Sequence, residues 1–320
     1  MKRLRHIPVL LDAVLQVFAP RPGQTIVDCT LGLGGHSAEL LNRVRPGGRL
    51  IGLDFDVGNI ERARAVLERV GGLFSLHHSN FAALPKVLAS EGIERVDAIL
   101  ADVGVASPQI DDPARGFSYR RPGPLDMRMD PTRGEPASAL VNRMCERDLA
   151  DALLELGDET DAPAIARLIV RQRKVKPIET TQDLVAIVCE ARDFTLQRAA
   201  GAKLHPAART FQALRMLVNR ELGNLQRLLD VAPHHLSPGG RIAIISFHSG
   251  EDRLVKKAFR DGLRAGIYDD ASPDPVTATE AEVHGNPRSR SAKLRWAQRS
   301  AEPAELATDG APMDTDGRQG

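Results

Sequence analysis

The chain has 320 residues, enough for one large domain with an insertion or for two domains. It is 42% hydrophobic and 27% charged with a net charge of +1, the profile of a soluble globular protein. A charge so near zero gives no global case for a nucleic-acid partner, so any such case must come from local clustering. Cys29, Cys145 and Cys189 are far apart, odd in number and in no CxxC pair. That argues against a disulfide framework and a structural zinc, and fits a reducing cytoplasm.

The first stretch, "MKRLRHIPVLLDAVLQVF", starts basic, but Pro8 and Asp12 interrupt it and no small-residue cleavage site follows. A signal peptide is therefore not expected, and Val9 to Phe18 reads as a short amphipathic helix packed on the body. No run approaches the ~18 apolar residues of a membrane span. From Thr25 to Asp102 short apolar strands alternate with helical stretches. "TIVDCT" is a strand and His36 to Val44 a helix; "RLIGLD" is the second strand and Val57 to Val70 the next helix. "FSLHHS" is a weaker third strand, followed by a helix at Leu84 to Ser90 and a fourth strand, "VDAILAD". Such alternation predicts a parallel sheet covered on both faces, with ligands at the carboxyl ends of its strands.

The rhythm stops after Asp102. "GVASPQIDDPARGFSYRRPGPLDMRMDPTRG" is too long for an ordinary connection, and loops of this size are functional or disordered. Pro136 to Ala200 is helical in pattern, an inserted subdomain. "RTFQALRMLVNRELGNLQRLLDVAPHHL" reads as one long amphipathic helix returning to the body. "SPGGRIAIISFHS" gives a fifth strand, "EDRLVKKAFR" a helix and "SAKLRWAQR" an edge strand. The tail after Ser300 has few large apolar residues and is expected to be disordered. The boundaries expected are residues 1–110 and 205–300 for the α/β domain, 111–204 for the active-site loop and helical insert, and 301–320 for the tail.

The strand-turn-helix "IVDCTLGLGGHS" holds the candidate ligand site. No lysine follows its glycines, so a nucleoside-triphosphate loop is not expected. Gly32 and Gly34 fit the first two glycines of a dinucleotide turn, but Ser37 stands at the third, which weakens an NAD reading. S-adenosylmethionine needs close backbone approach at its amino-acid tail and an acid for its ribose. Gly32, Gly34 and Gly35 allow the first, and Asp54, ending the second strand, suits the second. Asp102 puts a further carboxylate at the ligand edge. Either strand-end acid could equally be a helix cap, and the pattern alone leaves both cofactors open. His36, Asp54 and His248 have no metal-ligand spacing, so no catalytic metal is expected.

The chain resembles the RsmH (MraW) family of bacterial 16S ribosomal RNA cytosine-N4 methyltransferases. "HIPVLLDAV", "TLGLGGHS", "GLDFD", "GPLDMRMDP", "RTFQALRMLVNREL", "GGRIAIISFHS" and "NPRSRSAKLR" follow in family order from His6 to about Arg295. The resemblance implies a Rossmann-like class I fold and S-adenosylmethionine as cofactor. It implies methylation of a decoding-centre cytidine, with 16S RNA in the small ribosomal subunit as partner and no membrane association. It also implies cofactor contacts at Gly34, Gly35, His36, Asp54, Phe81, Asp102 and Gln109. Asp102 is the expected catalytic residue, accepting a hydrogen bond from the attacking amine. The oligomeric state, a dimer included, stays open. RNA contacts are expected on the insert, where Pro163 to Arg220 holds eleven Arg and Lys against four Asp and Glu, and on Arg120, Arg121 and Arg128 of the loop. Without the resemblance, a methyltransferase on another amine, an NAD-dependent oxidoreductase and a non-catalytic ribosome-assembly factor all remain open.

Overall fold

The computed structural model describes residues 7–202 and 204–301. His6 and nearly all of the tail lie outside them. The N-terminal helix is α1 (Leu11–Phe18), and the alternating region runs β1 (Thr25–Asp28), α2 (Gly35–Val44), β2 (Arg49–Asp54), α3 (Val57–Val70), β3 (Leu73–His78), α4 (Leu84–Ser90) and β4 (Val96–Asp102). Pairing is parallel throughout these four strands, in the order β3-β2-β1-β4.

The strands read as apolar runs because both faces are covered. Ile26, Leu50 and Leu100 point to one side, against Val14, Leu40 and Leu67 of α1, α2 and α3. Val27, Ile51 and Ile99, each one residue away along its strand, point to the other side and pack with Leu84 and Leu88 of α4. A period of two within a continuous apolar strand thus builds two cores at once.

The long connection contains α5 (Ser107–Asp111) and then irregular chain. It is followed by α6 (Ala137–Arg143), α7 (Glu146–Gly157), α8 (Ala162–Gln172), α9 (Thr181–Ala191) and α10 (Leu196–Gly201). These helices enclose a third core of their own, around Leu149, Ile165 and Val188, which also takes in Phe117 and Leu125 of the connection.

The expected single returning helix is two, α11 (Ala208–Asn219) and α12 (Glu221–His235). Arg220 sits between them at φ 51° and reverses the path. Phe211 and Leu214 of α11 belong to the helical core, whereas Leu225 and Leu228 of α12 belong to the sheet's. A continuous helix could not serve both.

The sheet then continues with β5 (Leu236–Ser246), parallel to β4. After α13 (Ser249–Arg264) come β6 (Tyr268–Ala271), β7 (Val276–Thr277), α14 (Glu280–Gly285) and β8 (Lys293–Arg299). β8 is not an edge strand as expected. It inserts antiparallel between β5 and β6, and β7 pairs with it as well. Its buried Leu294 and Ala297 reflect that interior place. The whole is an α/β, Rossmann-like sheet with a mostly parallel core and a helical insert. Among the described residues no helix is long and apolar enough to cross a membrane.

Candidate active site

Strand order reverses between β1 and β4, and the open crevice of such a sheet lies there, above the carboxyl ends. Asp28, the last residue of β1, is buried and organises the turn. Its Oδ2 accepts a 2.6 Å hydrogen bond from the Ser37 hydroxyl, and its Oδ1 accepts from the Thr30 amide at 3.1 Å. Burial pushes the Asp28 carboxyl above its ordinary range, and these donors pull it back. Ser37 therefore fastens α2 to β1 where a dinucleotide turn would have glycine. The Thr30 hydroxyl in turn accepts from the Asp102 amide at 2.6 Å, tying the end of β4 to the same turn.

The glycines divide the remaining work. Gly34 has φ +77°, and a Cβ there would come within 3.1 Å of Ala63, so its bareness lets α3 approach. A Cβ on Gly35 would meet the Pro8 ring at 2.5 Å. Gly32 instead lies open to the crevice, its amide donating to Asp54 Oδ2 at 2.8 Å.

The crevice is a cavity of about 360 Å³. That is a volume within the range of small-molecule sites. Asp54, Phe81, Asp102 and Gln109 line it; Gly34, Gly35 and His36 do not, and stand behind its wall. Asp54 accepts from the amides of Gly32 and Asp56, each at 2.8 Å, and burial raises its carboxyl to about 6. Phe81 opens a short 3-10 turn capped by Asn80 and packs against the sheet core beside the cavity.

Asp102 differs from the other acids. Its side chain makes no hydrogen bond among the described residues, and its buried Oδ1 has no partner. The nearest cation-capable group is His36, whose Nδ1 is 3.9 Å from Oδ2. Burial raises this carboxyl to about 6, against the downward pull of His36 and with smaller upward contributions from Asp28 and Glu251.

Gln109 is already engaged. Its Oε1 accepts from the Ala106 amide at 2.8 Å and its Nε2 donates to Asp56 Oδ2 at 3.0 Å. Asp56 also caps α3 through Gly58 and accepts from Arg115 Nη1 at 2.9 Å. Arg115 holds the backbone carbonyls of Arg128 and Met129. One buried carboxylate thus clasps the long loop to the start of α3 beside the crevice.

The half of the cavity over β4 and β5 carries residues that pattern reasoning did not select: Arg215, Glu221, Phe247 and Glu251. Arg215 Nε and Nη2 donate to the two oxygens of Glu221, each at 2.8 Å. Residues six apart on a continuous helix do not face each other, so this fork depends on the break at Arg220. Nothing local in the sequence announces that break. His248 caps α13, and its Nε2 stands 2.9 Å from Glu251.

The basic residues of the insert are only partly available. Arg173 is committed to the carbonyls of Val141 and Met144, and Arg128 to Asp126. Arg171, Lys176 and Arg121 are exposed but paired with Glu190, Asp183 and Asp111. Lys174 and Arg120 are exposed, with no ion pair among the described residues.

Known proteins resemble the chain over nearly its full length. The sequence model of the MraW methylase family matches residues 3–300. A ribosomal RNA small subunit methyltransferase H from Nitratidesulfovibrio vulgaris is 48% identical over 314 residues, covering 93% of this chain and 86% of the relative. Proteins of the same name from Symbiobacterium thermophilum and Koribacter versatilis are each 45% identical, covering 91% and 93% of this chain and 95% of either relative. The chain belongs to the MraW methylase family.

Proposed function

We propose that the protein transfers a methyl group from S-adenosylmethionine to N4 of a decoding-centre cytidine in 16S ribosomal RNA, within the small ribosomal subunit in the cytoplasm. The relatives' name supports a small-subunit RNA substrate. The observation that carries the chemistry is the unpartnered, buried Oδ1 of Asp102 at the cavity wall.

The cavity fits a cationic cofactor. Four carboxylates, Asp54, Asp102, Glu221 and Glu251, line it against two guanidinium groups, Arg215 and Arg288. That balance suits a sulfonium and disfavours the pyrophosphate of a dinucleotide. Bound there, S-adenosylmethionine supplies an electrophilic methyl group. Asp54 would hold the ribose hydroxyls and Phe81 would offer its face to the adenine. Gly34, Gly35 and His36 would shape the tail's seat from behind, and Gln109 would brace the loop over it.

Asp102 acts on the other reactant. An exocyclic amine is a weak nucleophile because its lone pair is delocalised into the ring. A carboxylate accepting its N–H favours the rehybridised nitrogen and receives the proton released as the N–C bond forms and the C–S bond breaks. With a carboxyl ionising near 6, Asp102 is ionised at neutral pH and available to accept.

Residues 1–110 and 205–300 would carry this chemistry, and 111–204 would recognise RNA, with Lys174 and Arg120 as free phosphate contacts. Small subunits from cells lacking the protein, incubated with it and labelled cofactor, test the reading. Label on N4 of one cytidine supports it. Cofactor binding with no transfer to RNA points to an assembly factor instead, and transfer to another macromolecule to a different substrate.

A further inference from the structure

One exposed carboxylate at the mouth of the cavity holds two guanidinium groups. Arg288, from the 3-10 turn Pro287–Ser291, lines the cavity, as does Ile110 of α5. The next residue, Asp111, ends α5, and its Oδ2 lies 3.8 Å from Arg288 Nη2. Its Oδ1 lies 3.0 Å from Arg121 Nη2, and Arg121 Nη1 donates to the Asp111 backbone carbonyl. Two arginines distant in sequence thus approach the two oxygens of one carboxylate, and among the described residues neither has another acidic partner. The side chains of Arg121, Arg288 and Asp111 are 46%, 50% and 54% exposed, and pairs so exposed add little to stability. The backbone beneath them is nonetheless fixed. The Arg121 carbonyl accepts from the Thr181 hydroxyl at 2.9 Å. Ser289, buried next to Arg288 in the chain, donates to the Asn286 carbonyl at 2.8 Å, and Asn286 Nδ2 donates to the Ile7 carbonyl at 3.0 Å.

We propose that Arg121 and Arg288 form a seat for one backbone phosphate of the RNA next to the target nucleotide, and that Asp111 fills this seat until RNA displaces it. This rests on the RNA-methylation reading above. A base that reaches the cofactor must leave its stack and enter the cavity, while its sugar–phosphate chain stays outside and crosses the mouth. A phosphodiester presents two unesterified oxygens and one negative charge, the pattern that the Asp111 carboxylate presents to the same two guanidiniums. Arginine pairs with either anion. Asp111 keeps the two long side chains converged, which lowers the cost of ordering them when the phosphate arrives. Because the pairs are exposed, displacing the carboxylate costs little.

The test measures binding to small subunits from cells lacking the protein, over a range of salt. The wild-type protein is compared with Arg121→Gln, Arg288→Gln, Asp111→Asn and Asp112→Asn. Asparagine at 111 keeps an acceptor for Arg121 and removes the charge that competes with phosphate. Asp112 is the neighbouring exposed acid and makes no ion pair among the described residues, so its variant controls for bulk charge. Each arginine variant should bind roughly 3- to 10-fold more weakly and flatten the slope of log affinity against log salt by about 0.7. Asp111→Asn should bind roughly 3- to 10-fold more tightly, and Asp112→Asn within about two-fold of wild type. Weaker or unchanged binding by Asp111→Asn would overturn the proposal, as would an equal gain from Asp112→Asn. Subunits assembled from ligated 16S RNA then carry a neutral methylphosphonate on one side or the other of the nucleotide that the wild-type protein methylates. The wild-type protein should lose affinity at one of the two positions, and the Arg121→Gln/Arg288→Gln double variant should lose none there. Loss at neither position, or the same loss in both proteins, would also overturn it. A wild-type protein that transfers no methyl group to natural subunits would instead defeat the RNA-methylation reading itself.

Discussion

His36 Nδ1 lies 3.9 Å from Asp102 Oδ2, near enough to feel its charge and too far to donate to it. His36 Nε2 faces the Val9 carbonyl at 2.8 Å, and a carbonyl only accepts, so that nitrogen carries the proton in the neutral ring. Asp102 is thus left at the end of β4 as a half-buried carboxylate whose buried Oδ1 has no donor among the described residues. Such a group weakens the fold unless something outside the chain uses it.

Asp102→Asn should stabilise the protein at neutral pH while abolishing most activity. Burial raises this carboxyl from 3.8 to about 6. The folded state therefore binds the proton more tightly than the unfolded chain. That contribution is full below 3.8 and is lost as pH rises through 6. The gain from asparagine should be on the order of 2 kcal/mol at pH 7.5 and should vanish near pH 3.5. Thermal melts of both proteins across this range check it; a gain that does not depend on pH would contradict the assignment.

Activity should fall on the acid side of about 6. At saturating cofactor, kcat should drop with a single-proton slope as Asp102 is neutralised. Asp54 is raised to a similar value, and its protonation should appear separately, as weaker cofactor binding over the same window. Rate profiles and cofactor titrations from pH 5 to 8 separate the two. A flat kcat would remove Asp102 from the chemistry.

Ser37→Gly would restore the dinucleotide spacing and should not restore dinucleotide binding. It strands the buried Asp28 carboxylate, which loses its 2.6 Å donor, at a cost of roughly 1–3 kcal/mol. Chemical denaturation measures that loss, and calorimetry with NAD should detect no binding.

Asp56→Ala should release the long loop. Gln109, Arg115 and the first turn of α3 all lose an acceptor together, costing roughly 3 kcal/mol and leaving the Arg115 guanidinium without its carboxylate. Proteolysis between residues 112 and 135 should accelerate, and cofactor affinity should fall. A loop that stays protected would mean that Arg115 holds it through the carbonyls of Arg128 and Met129 alone.

The parallel strands and the turn were legible because their physics is local. β1, β2 and β4 are buried on both faces and read as apolar runs, and Asp54 and Asp102 stand where those runs end. What was not legible depends on distant partners. Ser37 counted as a missing glycine because its bond to Asp28 spans the turn. The returning segment keeps one helical period through Arg220, and only the two cores it must enter require a break there. The fork of Arg215 and Glu221 was hidden with it. β6, "YDDA", has no apolar alternation, so β8 was given the edge that β6 occupies.

The most direct measurement is the single-turnover rate of methyl transfer to small subunits by Asp102→Asn at saturating cofactor, with cofactor affinity measured beside it. The account expects the rate to fall by roughly 100-fold or more, while affinity changes only a few-fold. A rate near that of the wild-type protein, or a loss explained wholly by weaker cofactor binding, would contradict the claim that the Asp102 carboxylate receives the attacking amine.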